Sequence, residues 1–143
     1  DRFMMRITMG YPDPAAERAL LTGRDRRSLL ADLAPVADAA TLTQWRAEAE
    51  SLHVADALID YVQALIAHTR SSGAWRLGLS PRAGLALLAA ARAHARVFDR
   101  AHVLPEDVQA VLPAVALHRL PALEQGSPDD AARALLQAVA LPA

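Results

Sequence analysis

The run Gly78-Leu79-Ser80-Pro81-Arg82-Ala83 opens an apolar helix with an arginine in its first turn. Ser80 suits the N-cap, because its hydroxyl can accept an orphan backbone N–H of that turn. Pro81 suits the first helical position, where a missing N–H is no loss. Arg82 is the anomaly. The amino end of a helix carries partial positive charge, so a cation there is unfavourable by about 0.3–1 kcal/mol. A docked anion removes that penalty, and helix amino termini bind phosphate readily. The planar guanidinium of Arg82 then offers its fork to phosphate oxygens. The plainer reading is an exposed arginine on a solvated rim.

Other chemistry is thinner. The serine is not a nucleophile elbow, since Arg82 stands where a G-x-S-x-G run would place its second glycine. Five histidines, at 53, 68, 94, 102 and 118, are scattered with no i,i+4 pair, so ordinary surface or packing roles outweigh a metal site. Glu106-Asp107 and Asp129-Asp130 each fall in a first helical turn, where capping explains them better than acid/base catalysis. Arg92, Arg96 and Arg100 form an i,i+4,i+8 stripe near a helix end. A solvated face is the simple reading of that stripe, and a protein-contact or nucleic-acid surface the sharper one. Trp75 reads as an anchor for its connector and Trp45 as a partly buried helix residue. Neither has the aromatic company of a base-stacking platform.

Bulk composition narrows the classes further. The 143 residues make one domain, or a domain with a fragment of another, and 53% apolar residues suffice for a core. No apolar run approaches the roughly 18 residues of a membrane span, and no leader pattern is visible, so a cytoplasmic protein is expected. There is no cysteine, which excludes disulfides and thiolate sites. A net charge of −1 argues against a dedicated nucleic-acid binder, a helix-turn-helix protein included. All 15 cations are arginine, so no P-loop or Schiff-base lysine lies here. The Ala- and Arg-rich, Lys-free usage is also what a GC-rich genome produces.

The elements that must position these residues are helices. Phe3, Met5, Ile7 and Met9 alternate like a strand, but a lone strand has nothing to pair with and is expected to be irregular. With Asp1 rather than Met in front, this opening reads as the end of a strand leaving a larger body, and the chain as a cut piece. A first helix is predicted from about Asp13 to Gly23, capped by Asp13 with Pro14 at its first position. Leu29, Leu30 and Leu33 form a short apolar patch ended by Pro35, and Thr41 or Thr43 is placed to cap the next helix. Val54, Ala57, Leu58, Tyr61, Val62, Leu65 and Ile66 follow a strict helical stripe, stopped by Ser71-Ser72-Gly73. Ser80 starts a long helix to about Asp99. Pro105 starts another, whose stripe of Val108, Val111, Leu112 and Val115 contains Pro113, expected to kink or shorten it. A last helix runs through Leu135, Leu136 and Val139 after the loop Gly126–Asp130. The fold class is all-α, a bundle of about five to six helices preceded by a strand remnant.

Two segments in order carry a resemblance. Asp1-Arg2-Phe3-Met4-Met5-Arg6-Ile7-Thr8-Met9-Gly10-Tyr11-Pro12 resembles the "LDRF…(I/V)xxGYP" exit from the nucleotide-binding core of MoxR-type AAA+ ATPases. About seventy residues later, Leu77-Gly78-Leu79-Ser80-Pro81-Arg82-Ala83 resembles their "LGASPRA" signature, with Leu79 where alanine is usual. Val103-Leu104-Pro105-Glu106-Asp107-Val108 and His118-Arg119-Leu120 resemble the "VTPEDV…HR" tail. Leu104 replaces the usual threonine cap, so that helix start should be weaker.

The resemblance implies a helical lid, residues 13–143, attached to the last edge of an ATPase core, residues 1–12. In the family the SPRA arginine is sensor 2 and reaches the γ-phosphate of ATP. Carried over, that role falls on Arg82, presented by Ser80 and Pro81. Arg2 resembles the arginine finger that enters a neighbouring subunit's ATP. Such charges are the main lever of phosphoryl transfer. ATP and Mg2+ are then held by a core that would precede Asp1. This stretch alone has no P-loop and cannot hydrolyse ATP. The family also implies a homo-oligomeric ring, hexameric in type, chaperone-like remodelling, and partners with von Willebrand A domains. The competing expectation is a stand-alone helical interaction module in which SPRA is only a well-capped helix start.

Overall fold

Helix starts in this chain repeat one device, a proline at the first helical position. In the computed structural model, which describes residues 3–23, 30, 32–120 and 127–142, it opens α1, Pro14–Thr22. Asp13 accepts the Ala16 N–H there at 2.7 Å, as its sequence position predicts. The next helix, α2, spans Ala39–Ser51, and its cap is Asp38, which accepts the Thr41 N–H at 2.7 Å. The expected threonine caps lie inside α2 instead: Thr43 turns its hydroxyl back to the Ala39 carbonyl. A carboxylate three residues before Thr41 and five before Thr43 has taken their place. Most of the apolar patch around Leu29 lies outside the described residues.

The amphipathic stripe forms α3, Asp56–Ser71, and buries Leu58, Tyr61, Val62, Leu65 and Thr69. Ser80 begins α4, Pro81–Val97, and Leu104 precedes α5, Pro105–Ala116. Pro113 sits inside α5. The helix passes through it for one more turn and then tightens into a 3-10 turn, Leu117–Arg119. The proline therefore does not end the helix early, because the N–H it lacks would have pointed back to residue 109 and the turn beyond it can still form. The last helix is α6, Pro128–Gln137. Residues 5–13 form no strand: the Arg6 N–H donates to the Ala114 carbonyl at 2.8 Å, and no second strand pairs with the segment.

Helix α4 is the central beam, packed against α5, α2 and α3, while α6 lies across α3 and α5. Leu65, Leu87, Leu112 and Leu135 are fully buried where these helices meet. Each such side chain contributes about 1.5–3 kcal/mol relative to exposure. Two connectors are tied together where the Val103 N–H donates to the His53 carbonyl at 3.0 Å. By contrast α1 buries no residue and touches no other described helix. The fold is all-α, and five of the six described helices pack around one core.

Candidate functional site

The site grows from the carboxyl end of α3. Thr69 is 1% exposed, and its hydroxyl donates to the Ile66 carbonyl at 2.7 Å. The same oxygen accepts the Leu79 N–H at 2.9 Å. The next residue, Arg70, donates its Nε–H to the Leu79 carbonyl, also at 2.9 Å. Both polar groups of one connector residue are therefore held by adjacent residues of one helix. Leu79 itself is 2% exposed and anchors in the core.

Gly78 is what allows the approach. A Cβ there would stand 2.8 Å from both Cα and N of Arg70. Only glycine lets the connector lie so close to the α3 backbone. One helical turn later, Gly84 faces Ile66, whose Cδ1 would lie 2.6 Å from an added Cβ.

From this fixed start Ser80 leaves in extended conformation and its hydroxyl accepts the Ala83 N–H at 3.3 Å. Pro81 is the first helical residue and Arg82 is exposed in the first turn. The sequence places these three together, and the structure presents Arg82 outward.

A second guanidinium stands nearby. Arg119, on the 3-10 turn, donates to the carbonyls of Phe3 and Met4, the latter at 3.2 Å. Burial, and then the positive charge of Arg82, push the Arg119 pKa downward. An exposed cation thus stands at a helix amino terminus, an arrangement that an anion relieves. Arg2 lies outside the described residues.

The other sequence candidates have structural employment. Asp107 is fully buried and receives the Leu104 N–H at 2.9 Å, His94 Nδ1 at 2.7 Å and the Arg100 guanidinium. Burial alone would raise its pKa, but these hydrogen bonds outweigh it and hold the carboxyl below the usual range. Leucine has no oxygen to return the favour at the N-cap, so the capping box at Leu104 is only half made.

The stripe of Arg92, Arg96 and Arg100 is not a uniformly solvated face. Arg96 pairs with Glu48 of α2 at 2.6 Å and with Asp99 at 2.9 Å, and Arg100 pairs with Asp107. Arg92 keeps its Nε buried without a partner. Facing helices supply two of these carboxylates, Glu48 and Asp107, which the stripe's own spacing could not reveal. Trp75 packs against the core and Trp45 is 45% exposed. Among the described residues no group of three His, Asp or Glu is placed to hold a metal ion.

The residues that sequence reasoning missed are Thr69, Arg70 and the part played by Gly78. Their signal was a glycine two residues before the cap of a well-capped helix, which needs no glycine for its own sake.

The comparisons with known proteins agree with this geometry. A model of the AAA lid domain family matches residues 67–139, the stretch that holds the Leu79 clamp, Arg82, Asp107 and Arg119. The chain belongs to the AAA lid domain family. Within it, this is a lid of the MoxR-family AAA+ ATPases. It is 34% identical over 161 aligned positions to the chaperone MoxR1 of Mycobacterium tuberculosis, covering 99% of this chain and 41% of that protein. It is 30% identical over 120 residues to YeaC, an uncharacterized protein of Bacillus subtilis, covering 84% of this chain and 38% of that protein. A crystal structure from Cytophaga hutchinsonii, assigned as an ATPase, superposes with a TM-score of 0.82 at 24% identity, covering 99% of this chain and 47% of that one. That last likeness is one of fold. The chain thus spans well under half the length of each curated relative. No described helix is long and apolar enough to cross a membrane.

Proposed function

We propose that this lid closes over ATP held by a preceding core and senses its terminal phosphate through Arg82. One observation carries the reading: an exposed arginine stands in the first turn of a helix whose start is fixed on both sides of one residue, Leu79. A cation is unfavourable at that helix end unless an anion completes it. The residues present fit a phosphate, since Arg82 stands exposed at the amino end of α4, where the first-turn N–H groups and a guanidinium both favour an anion. Ser80 and Pro81 act by setting where the helix begins. When bound, ATP supplies the phosphoryl group, and Arg82 supplies positive charge toward it.

The boundary falls between residues 1–12, the edge of the core, and 13–143, the lid. Mg2+ belongs with the core's own ligands. Arg2 is the candidate finger toward a neighbouring subunit. The parent polypeptide is then an ATP hydrolase of the cytoplasm that assembles as a homo-oligomeric, hexameric ring. It couples lid movement to chaperone-like remodelling of partner proteins, with von Willebrand A domain proteins as candidates. Membership of the MoxR-type lids supports these steps.

A second reading, a protein-interaction module without nucleotide contact, draws support from a cleft of about 470 Å3 between α2 and α4, lined by Leu42, Trp45, Ala93 and Val97. The two readings part on one variant. Arg82→Ala in the full-length polypeptide should cut ATP turnover by about 10²–10³, the loss seen when one preorganised charge-stabilising donor is removed. The helical content of this domain should not change. Unchanged turnover would leave the interaction module as the better account.

A further inference from the structure

A capped proline start does not need outside help to become a helix. At α1, Asp13 and Pro14 open nine helical residues that touch no other described helix. At α4, Ser80 and Pro81 supply the same local device. Yet here the preceding residue is bound a second time. The Leu79 N–H goes to a hydroxyl that is 1% exposed, and its carbonyl goes to a guanidinium, both at 2.9 Å. Gly78 gives up a side chain so that the connector can lie against the Arg70 backbone. Helix formation does not explain this extra constraint. Control over where the first turn points does.

We propose that Thr69 and Arg70 are positioning residues for Arg82: by holding the N–H and the carbonyl of Leu79 they fix the start of α4, and with it the reach of the Arg82 guanidinium toward phosphate. The inference rests on the reading of Arg82 as the nucleotide sensor. The physical stake is large, because a displacement of about 1 Å in a positioned group can cost on the order of 100-fold in rate. One hydrogen bond would leave one of the two peptide planes that meet at Leu79 free to turn. Two, on opposite sides of the residue, remove that freedom, and the buried side chain of Leu79 sets the third point. Arg70 serves through its Nε–H, the donor nearest the stem, which a lysine cannot reproduce.

The test is a double-mutant cycle on ATP turnover by the full-length polypeptide. Arg70→Met and Thr69→Val are each combined with Arg82→Ala. In the wild-type background each single variant should lower kcat by about 10-fold while KM for ATP stays within about 2-fold, because transition-state positioning is what is lost. In the Arg82→Ala background the same changes should lower kcat no further. A merely structural role would give the same loss in both backgrounds and would overturn the proposal. If Arg82→Ala alone leaves turnover unchanged, the sensor reading fails and this inference with it. If Arg82→Ala reduces turnover but neither Thr69→Val nor Arg70→Met does, the inference alone fails. Arg70 is exposed, so Arg70→Met should retain the fold even if the buried Thr69→Val does not. Amide exchange gives a readout apart from activity: the Leu79 N–H should be protected in the wild type and lose that protection in Thr69→Val. An unprotected Leu79 amide in the wild type would also overturn the proposal.

Discussion

Gly78 and Arg70 meet backbone to backbone, with room for a hydrogen between them and none for a methyl: a Cβ on Gly78 would sit 2.8 Å from Arg70 Cα and N and 2.4 Å from its Cγ. This contact seats the connector that begins α4. It also separates two glycines that look alike in sequence. Gly84 would meet only the end of the Ile66 side chain, which can rotate away.

Gly78→Ala should therefore destabilise the domain by about 1–3 kcal/mol, the usual result of overpacking against parts that cannot yield. Gly84→Ala should fall close to neutral, since a gain of roughly 0.5–1 kcal/mol from replacing a mid-helix glycine offsets the shift of Ile66. Urea unfolding of the two variants checks the contrast. Equal losses would contradict it.

Leu104→Thr should stabilise the chain. Asp107 already accepts the N-cap N–H at 2.9 Å, and a threonine hydroxyl completes the reciprocal half of the box. A gain of about 0.5–1 kcal/mol is expected in the unfolding midpoint.

Asp107→Ala should be among the most damaging changes in the molecule. It removes a fully buried carboxylate that gathers Leu104, His94 and Arg100. Breaking a buried pair costs about 3–5 kcal/mol. The lower end applies here because the Arg100 side chain is 30% exposed and can regain water. Thermal unfolding by circular dichroism gives the number.

The same carboxylate sets an acid dependence. Its folded pKa lies below its ordinary value, so the folded state binds its proton less readily than the unfolded chain. Its contribution is complete above the unfolded pKa and is lost as pH falls from about 4 downward through the lowered folded value. Unfolding free energy measured from pH 6 to pH 2 should drop for the wild type and drop less steeply for Asp107→Asn. Parallel curves would exclude Asp107 as a source of the acid lability.

Arg119→Met should loosen the opening segment from the lid. With the donors to Phe3 and Met4 gone, the Arg6 N–H to the Ala114 carbonyl still ties residues 3–9 to the described helices. Trypsin cleavage after Arg6, which tracks the open population, should speed up by about tenfold, equivalent to ~1.4 kcal/mol. The helical content should be unaffected.

The sequence by itself determined the helices and their buried stripes. It also determined the MoxR-type lid resemblance and the unusual place of Arg82 in a first turn. Caps and stripes are set by residues three or four apart, so local spacing carries them. It misassigned the α2 cap because Asp38 and Thr41 are both good cappers within one turn, and local rules rank them nearly alike. Tertiary structure alone decided what holds Arg82 in place and where the charges go. Thr69 and Arg70 reach Leu79 across ten and nine residues, His94 reaches Asp107 across 13, Arg96 reaches Glu48 across 48, and Arg119 reaches Phe3 across 116. No periodicity encodes such partners. They exist only once α4 lies between α3 and α5, because packing the apolar stripes is what brings the polar ends together.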